Sequence, residues 1–184
     1  VHLMGTVNCT KACWEIMRSQ EYGRVVVTSS SSGLYGNFGQ TNYGAAKLGV
    51  VGLMNTLVQE GAKYNIKVNA LAPTAGTRMT EGLIAEKAFD LLTPETVTPA
   101  VLYLVSEDAP NRTILCAGAG AYSVSKIVET EGMWLSPEEQ TPEGIAAHWD
   151  GISSPEGERV LNAGFEQSIK MAAKAAEGLG IKLD

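Results

Sequence analysis

The sequence contains no run of five or more basic residues, and its 14 lysines and arginines are outnumbered by 20 aspartates and glutamates, a net charge of −6. Nucleic acid is therefore not an expected partner. No apolar stretch reaches the roughly 18 residues of a membrane-spanning helix, so no membrane partner is expected either. Cysteine is scarce. Cys9, Cys13 and Cys116 are odd in number and form no C-x-x-C pair. Cys9 and Cys13 stand four apart on a predicted helix face, but no histidine is spaced to complete a zinc site with them. No metal is expected, and the three read as buried free thiols of an intracellular protein. An initiator methionine and a basic, apolar leader are also missing. Val1-His2-Leu3 falls inside an apolar pattern, as in the remainder of something longer. The last residues, Lys182-Leu183-Asp184, are not a peroxisomal Ser-Lys-Leu ending, which leaves the cytoplasm as the expected compartment.

What is present is enough for one core: 184 residues, 45% of them apolar and 18% charged. Leu3 to Gln20 has an apolar helical face formed by Val7, Cys9, Ala12, Cys13, Ile16 and Met17. Arg24-Val25-Val26-Val27-Thr28 is a short β-branched run, predicted as a fully buried strand. Ser29 to Gln40, rich in serine and glycine, is expected to be loop. Asn42 to Tyr64 predicts the longest helix, and Ile66 to Ala72 a second strand ended by Pro73. Helices are predicted over 79–90 and 94–106, and a third strand over Thr113–Ala117. Alternating strands and helices predict an α/β fold with a parallel sheet wrapped by helices. Residues 1–125 are read as that catalytic part. Residues 126–184 are read as a C-terminal extension ending in an amphipathic helix over 156–177.

Three features coincide near the middle of the chain. Tyr43-Gly44-Ala45-Ala46-Lys47 puts a phenol and an ammonium four residues apart, on one face of a helix. An ammonium held beside a phenol favours the phenolate, which makes the phenol usable as an acid or base near neutrality. Ser30 lies 13 residues before Tyr43 at the end of a strand, where a hydroxyl can face a cleft. Asn69-Ala70-Leu71-Ala72-Pro73-Thr74-Ala75-Gly76 ends the next strand in a Pro/Gly loop, and open parallel sheets bind ligands beyond the carboxyl ends of their strands. A second Tyr-x-x-x-Lys, Tyr122 to Lys126, has Ala109 at the matching upstream position and no serine-rich loop before it. Only the first copy is taken as catalytic.

These residues resemble those of the short-chain dehydrogenases/reductases: Gly23-Arg24-Val25-Val26-Val27-Thr28-Ser29-Ser30, the Ser30/Tyr43/Lys47 spacing and Asn69-x-x-x-Pro73. More narrowly, Tyr35-Gly36-Asn37-Phe38-Gly39-Gln40, Lys47-Leu48-Gly49 and the run from Ala72 to Thr80 are similar to the (3R)-hydroxyacyl-CoA dehydrogenase units of peroxisomal multifunctional enzymes and their bacterial relatives. The resemblance covers residues 1–125 well and the tail loosely. It implies the C-terminal part of a Rossmann-type doubly wound sheet, with hydride transfer between a nicotinamide cofactor and a secondary alcohol or ketone. Tyr43 would be the general acid or base. Lys47 would favour its phenolate and hold the nicotinamide ribose. Ser30 would bind the substrate oxygen and stabilise its developing charge. Pro73, Thr74 and Ala75, with Thr80, would face the nicotinamide amide.

Two departures stand out. Where many members have an Asn supporting a proton-relay water, His2 stands nearby, either as a substitute or as a residue of a frayed helix start. The N-terminal dinucleotide-binding half, with its glycine fingerprint, is missing from this sequence. Gly33-x-x-Gly36-x-x-Gly39 has the wrong spacing for it, and Gly118-Ala119-Gly120 lacks the downstream glycine. NAD is the implied cofactor, with NADP left open because the residue that reads the adenosine ribose would lie in that half. The implied substrate is a 3-hydroxyacyl-CoA. Rival readings are the same chemistry on a steroid or a 3-oxoacyl carrier, and a truncated non-catalytic dimerisation module. Small and apolar residues around the 42–64 helix, among them Leu48, Val51, Leu57 and Val58, predict a homodimer.

Overall fold

The computed structural model describes every residue except Met79, Glu81, Leu83, Ile84 and Asp184. The chain divides into two compact units, Val1–Ser125 and Lys126–Asp184. In the first, the elements run α1 (Met4–Ser19), β1 (Gly23–Thr28), α2 (Ser31–Tyr35), α3 (Thr41–Gly61), β2 (Ile66–Pro73), α4 (Glu86–Phe89), α5 (Thr98–Val105), β3 (Ile114–Gly118) and β4 (Ala121–Ser125). The sheet order is β1-β2-β3-β4. Its first two pairings are parallel, with Val25 opposite Val68 and Leu71 opposite Leu115, and the last is antiparallel. The fold is α/β with a mostly parallel sheet.

Alternation along the strands divides the core between two faces. Val27, Ile66, Val68, Ala70 and Ala72 pack with Val50, Val51, Met54, Leu57 and Val58 of α3, while Leu3, Trp14 and Met17 close in from the α1 side. On the other face Leu71, Ala117, Val26 and Leu115 meet Ala100 and Leu104 of α5. Of the apolar residues around α3 on which the homodimer expectation rests, Val51, Leu57 and Val58 are committed to the core, and Leu48 remains exposed at 46%.

Several expectations need correction. β1 is an edge strand, so Arg24, Val25 and Val26 are only half-buried, contrary to the fully buried strand predicted. The serine-rich stretch is not all loop: Ser30, in extended backbone, accepts a hydrogen bond from the Ser32 amide and thereby caps the five-residue α2. Of the helix expected over 79–90, Met79, Glu81, Leu83 and Ile84 lie outside the described residues; Glu86–Phe89 is helical. The 94–106 prediction resolves into a 3-10 turn at Pro94–Thr96 followed by α5. β4 went unpredicted. It returns through Ala119 and Gly120, whose positive φ values of 51° and 74° suit a two-residue hairpin turn. Cys9 and Cys13 are exposed and Cys116 is half-buried, so none of the three is the fully buried thiol anticipated.

In the second unit α8 spans Gly164–Leu179, beginning later than the expected 156, because Arg159 is drawn into a backbone bridge with Glu129 and Gly157 turns with φ of 74°. Two shorter helices precede it, α6 (Pro142–Ala147) and α7 (Trp149–Ile152). Lys170 of α8 is buried and pairs with Glu129, its amine also reaching the Thr130 carbonyl at 2.9 Å. Lys174 pairs with Glu131 at 2.7 Å. Hydrogen bonds from these two lysines hold the carboxyls of Glu129 and Glu131 below the usual carboxylate range. Among the described residues no helix is long and apolar enough to cross a membrane.

Candidate active site

Ser30 lies two residues past the end of β1 at Thr28, and the parallel neighbour β2 ends at Pro73, so the serine and the Pro73-Thr74-Ala75 loop lie at the carboxyl ends of adjacent strands. The two ends are stitched by the Ser29 amide, which donates to the Leu71 carbonyl at 2.7 Å. On the far side of the loop the Thr74 amide reaches the Ala117 carbonyl of β3 at 2.8 Å. Thr80 ties the loop to itself: its hydroxyl accepts from the Thr77 amide at 2.8 Å and lies 3.4 Å from the Ala75 carbonyl as a donor. The same hydroxyl lies nearer the Thr77 carbonyl, at 3.1 Å, so its main tie is to Thr77.

Tyr43 and Lys47 stand one turn apart in the first turns of α3, with the Lys47 amine 5.7 Å from the centre of the Tyr43 ring. The phenol is half-buried, while Lys47 is only 8% exposed. Burying an ammonium is costly unless it is hydrogen-bonded. Lys47 meets that demand by donating to the Thr28 carbonyl at 2.8 Å, at the last residue of β1. One hydrogen of three is used there, and two remain for a ligand such as the paired hydroxyls of a ribose. A second bond joins the same elements: the buried Ser29 hydroxyl donates to the Lys47 carbonyl at 2.8 Å. Such a set offers a held hydroxyl, a phenol beside an ammonium, and polar backbone, the parts a proton-coupled carbonyl chemistry requires.

The structure brings Ser30, Tyr43, Lys47 and the 73–75 loop to one end of the sheet, and it sets Thr80 behind the loop. His2, for which two roles stood open, lies against the phenol: its ring meets the Tyr43 ring edge-on, centroids 5.3 Å apart at 85°. The second Tyr-x-x-x-Lys begins on a strand. Tyr122 lies in β4 and Lys126 falls past its last residue, Ser125, so no helix turn brings the pair to one face. Tyr122 instead donates to the Thr96 carbonyl at 2.9 Å. Sequence reasoning missed Ser29, Ser32 and Gln40, whose side chains all bond near the site. The serine run was the available signal, but it reads as loop composition.

Residues 1–88 match the family model described as short chain dehydrogenase. Among curated proteins the chain is 47% identical, over 167 residues, to a short-chain type dehydrogenase/reductase of Mycobacterium tuberculosis, covering 90% of this chain and 57% of that protein. It is 46% identical over 155 residues to the mouse peroxisomal multifunctional enzyme type 2, covering 83% of this chain and 21% of that one. The solved full-length peroxisomal multifunctional enzyme type 2 of Drosophila melanogaster superposes with a TM-score of 0.85 at 34% identity, over 97% of this chain and 33% of that one. The chain thus spans just over half of the mycobacterial relative and about a fifth of the mouse enzyme.

Proposed function

This chain belongs to the short-chain dehydrogenase/reductase family, and from that premise we propose that it carries the catalytic part of an NAD(P)-dependent oxidoreductase acting on a secondary alcohol or ketone. The observation that carries the reading is the Tyr43–Lys47 pair beside Ser30 at the carboxyl end of the sheet, with the Lys47 ammonium anchored on the Thr28 carbonyl. In the oxidative direction Tyr43, as its phenolate, takes the substrate hydroxyl proton and becomes the phenol as the carbon-bound hydrogen leaves with its electron pair. A bound nicotinamide, proposed as NAD, supplies the acceptor for that pair. In reduction the same phenol returns its proton to the carbonyl oxygen. Ser30 accepts the Ser32 amide on one lone pair, so its O–H is free to donate to the substrate oxygen as charge builds there. Lys47 keeps a positive charge beside the phenol and offers its two remaining hydrogens to the ribose. Pro73, Thr74 and Ala75, braced by Thr80, face the nicotinamide amide.

The proposed substrate is a (3R)-3-hydroxyacyl-CoA. Supporting it is the resemblance of residues 35–40 and 72–80 to the (3R)-hydroxyacyl-CoA dehydrogenase units. In the complete protein, NAD reduction with a 3-hydroxyacyl-CoA is expected to exceed that with free hydroxysteroids at least about tenfold in kcat/KM, since an extended partner supplies remote binding energy. Oxidation of steroids with indifference to acyl-CoA would replace this substrate by the rival.

The proposal includes an N-terminal nucleotide-binding half. What supports it is the open edge of β1: a groove of about 680 Å³ runs between that edge (Arg24 to Thr28) and the α1 residues Thr6, Cys9, Thr10 and Cys13. A strand edge with unpaired N–H and C=O groups beside an apolar helix is a seat for another strand. The proposed compartment is the cytoplasm, or a peroxisome where a targeting segment outside this sequence directs it.

A homodimer through α1 and α3 is also proposed. No residue of α1 is buried, Ile16 is 62% exposed, and a Cβ added at Gly52 would meet nothing within 4 Å. Gly52→Arg therefore leaves the subunit fold alone and obstructs close approach of a second copy. Light scattering is expected to give a dimer for the parent and a monomer for Gly52→Arg; a dimeric Gly52→Arg protein overturns this interface.

A further inference from the structure

Ser30 and Tyr43 must meet one substrate oxygen, yet they sit on different elements joined by the open loop Gly36–Gln40. That loop cannot set their separation by itself. Gly36 and Gly39 have φ of 80° and 74°, a Cβ at either would touch nothing within 4 Å, and Phe38 points to solvent. Within it the Gln40 amide donates to the Asn37 carbonyl at 3.2 Å, and a side-chain bond ties its end back to α2. The Ser32 hydroxyl, in a residue only 8% exposed, donates to Gln40 Oε1 at 2.6 Å. Ser32 is two residues beyond Ser30 and gives its amide to the Ser30 hydroxyl; Gln40 precedes Tyr43 by three residues and accepts the Gly44 amide on its carbonyl at 2.7 Å.

The surroundings leave no slack. A Cβ on Gly33 would lie 2.8 Å from the backbone carbon of Lys47, and one on Gly44 would lie 2.9 Å from the Ser32 carbonyl oxygen. α2 and α3 are therefore in backbone contact, with the Ser32–Gln40 bond beside that contact. On the opposite side Ser29 bonds the Lys47 carbonyl. The serine run thus divides its work: Ser30 faces the substrate, while its neighbours hold α3.

We propose that Ser32 and Gln40 are positioning residues, a clamp that sets the Ser30 hydroxyl at its working distance from the Tyr43 phenol. This rests on the reaction proposed above. A misplacement of about 1 Å between reacting groups costs up to about 100-fold in rate, so losing the clamp is expected to lower kcat about tenfold with KM little changed.

The test uses Ser32→Ala, Gln40→Ala, their double variant, Gln40→Glu and Tyr43→Phe in the complete protein, with steady-state kinetics and thermal melts. Both alanine variants are expected to lose about tenfold in kcat, and the double variant to lose no more than either, because one bond is removed in each. Gln40→Glu keeps an acceptor for the Ser32 hydroxyl and is expected to retain kcat within about twofold. Full kcat in both alanine variants, beside an inactive Tyr43→Phe protein, overturns the clamp and leaves the reaction standing. A raised KM in Gln40→Ala with Ser32→Ala unaffected also overturns it, by making Gln40 a substrate contact. Turnover surviving in Tyr43→Phe overturns the reaction itself. Gln40 is exposed, so its two variants keep the test available where Ser32→Ala fails to fold.

Discussion

Replacing Tyr43 by phenylalanine is expected to lower hydride transfer in the complete protein by about 100- to 10 000-fold, the range associated with removing a positioned general acid or base. The ring and its packing are kept. His2 still meets its edge, Lys47 still binds the Thr28 carbonyl, and only the proton-carrying oxygen is gone. Cofactor affinity should hardly move, because the lost group acts on the substrate oxygen. Tyr122→Phe is the matched control: the same atom is deleted from the same Tyr-x-x-x-Lys spacing, but on a strand, where it costs one hydrogen bond to the Thr96 carbonyl, about 1 kcal/mol of stability. Single-turnover rates with both variants check the assignment, and a larger loss in Tyr122→Phe than in Tyr43→Phe would falsify it.

Asn69→Leu is expected to be the most destabilising of the substitutions considered, by about 2–5 kcal/mol, on the ordinary cost of about 1–3 kcal/mol for each buried polar group left unpaired. Asn69 is fully buried in β2. Its amide nitrogen donates to the Pro110 carbonyl at 2.8 Å, and its oxygen accepts from the Thr113 amide at 3.0 Å. Together these bonds strap the 110–113 turn to the sheet just before β3. Leucine fills similar volume but leaves a donor and an acceptor without partners. Urea unfolding followed by circular dichroism is the measurement. An unchanged midpoint would mean that the turn finds other partners, and the strap would lose its importance.

The two residues show different degrees of legibility. The Tyr43–Lys47 pairing could be read directly, because helical geometry brings residues four apart to one face whatever surrounds them. Asn69 could be singled out only through the resemblance of Asn69-x-x-x-Pro73, and its physical task lies in partners more than 40 residues away. The same division runs through the fold. Strong local patterns, such as the Val25-Val26-Val27 strand and the long α3, appear near their predicted positions. α2 escaped because Ser and Gly favour turns by composition, while a single serine cap sufficed to start it. β4 escaped although Tyr122 and Val124 alternate with Ser123 and Ser125, because the run is short and its turn uses an alanine at positive φ.

The sequence by itself determined the α/β order of elements, the identity of β1, β2 and β3, and the shared helix face of Tyr43 and Lys47. Each of these follows from backbone periodicity and needs no distant partner. Tertiary structure decided the rest. Only the assembled fold placed β2 between β1 and β3 and packed Val51, Leu57 and Val58 into the core against that sheet. Packing of α3 on the end of β1 gave Lys47 its Thr28 carbonyl, Ser29 its Lys47 carbonyl, Ser32 its Gln40 and His2 its place against the Tyr43 ring. The physical reason is that a buried polar group must find a partner somewhere. Local pattern announces the need, and only the assembled fold selects which atom answers it.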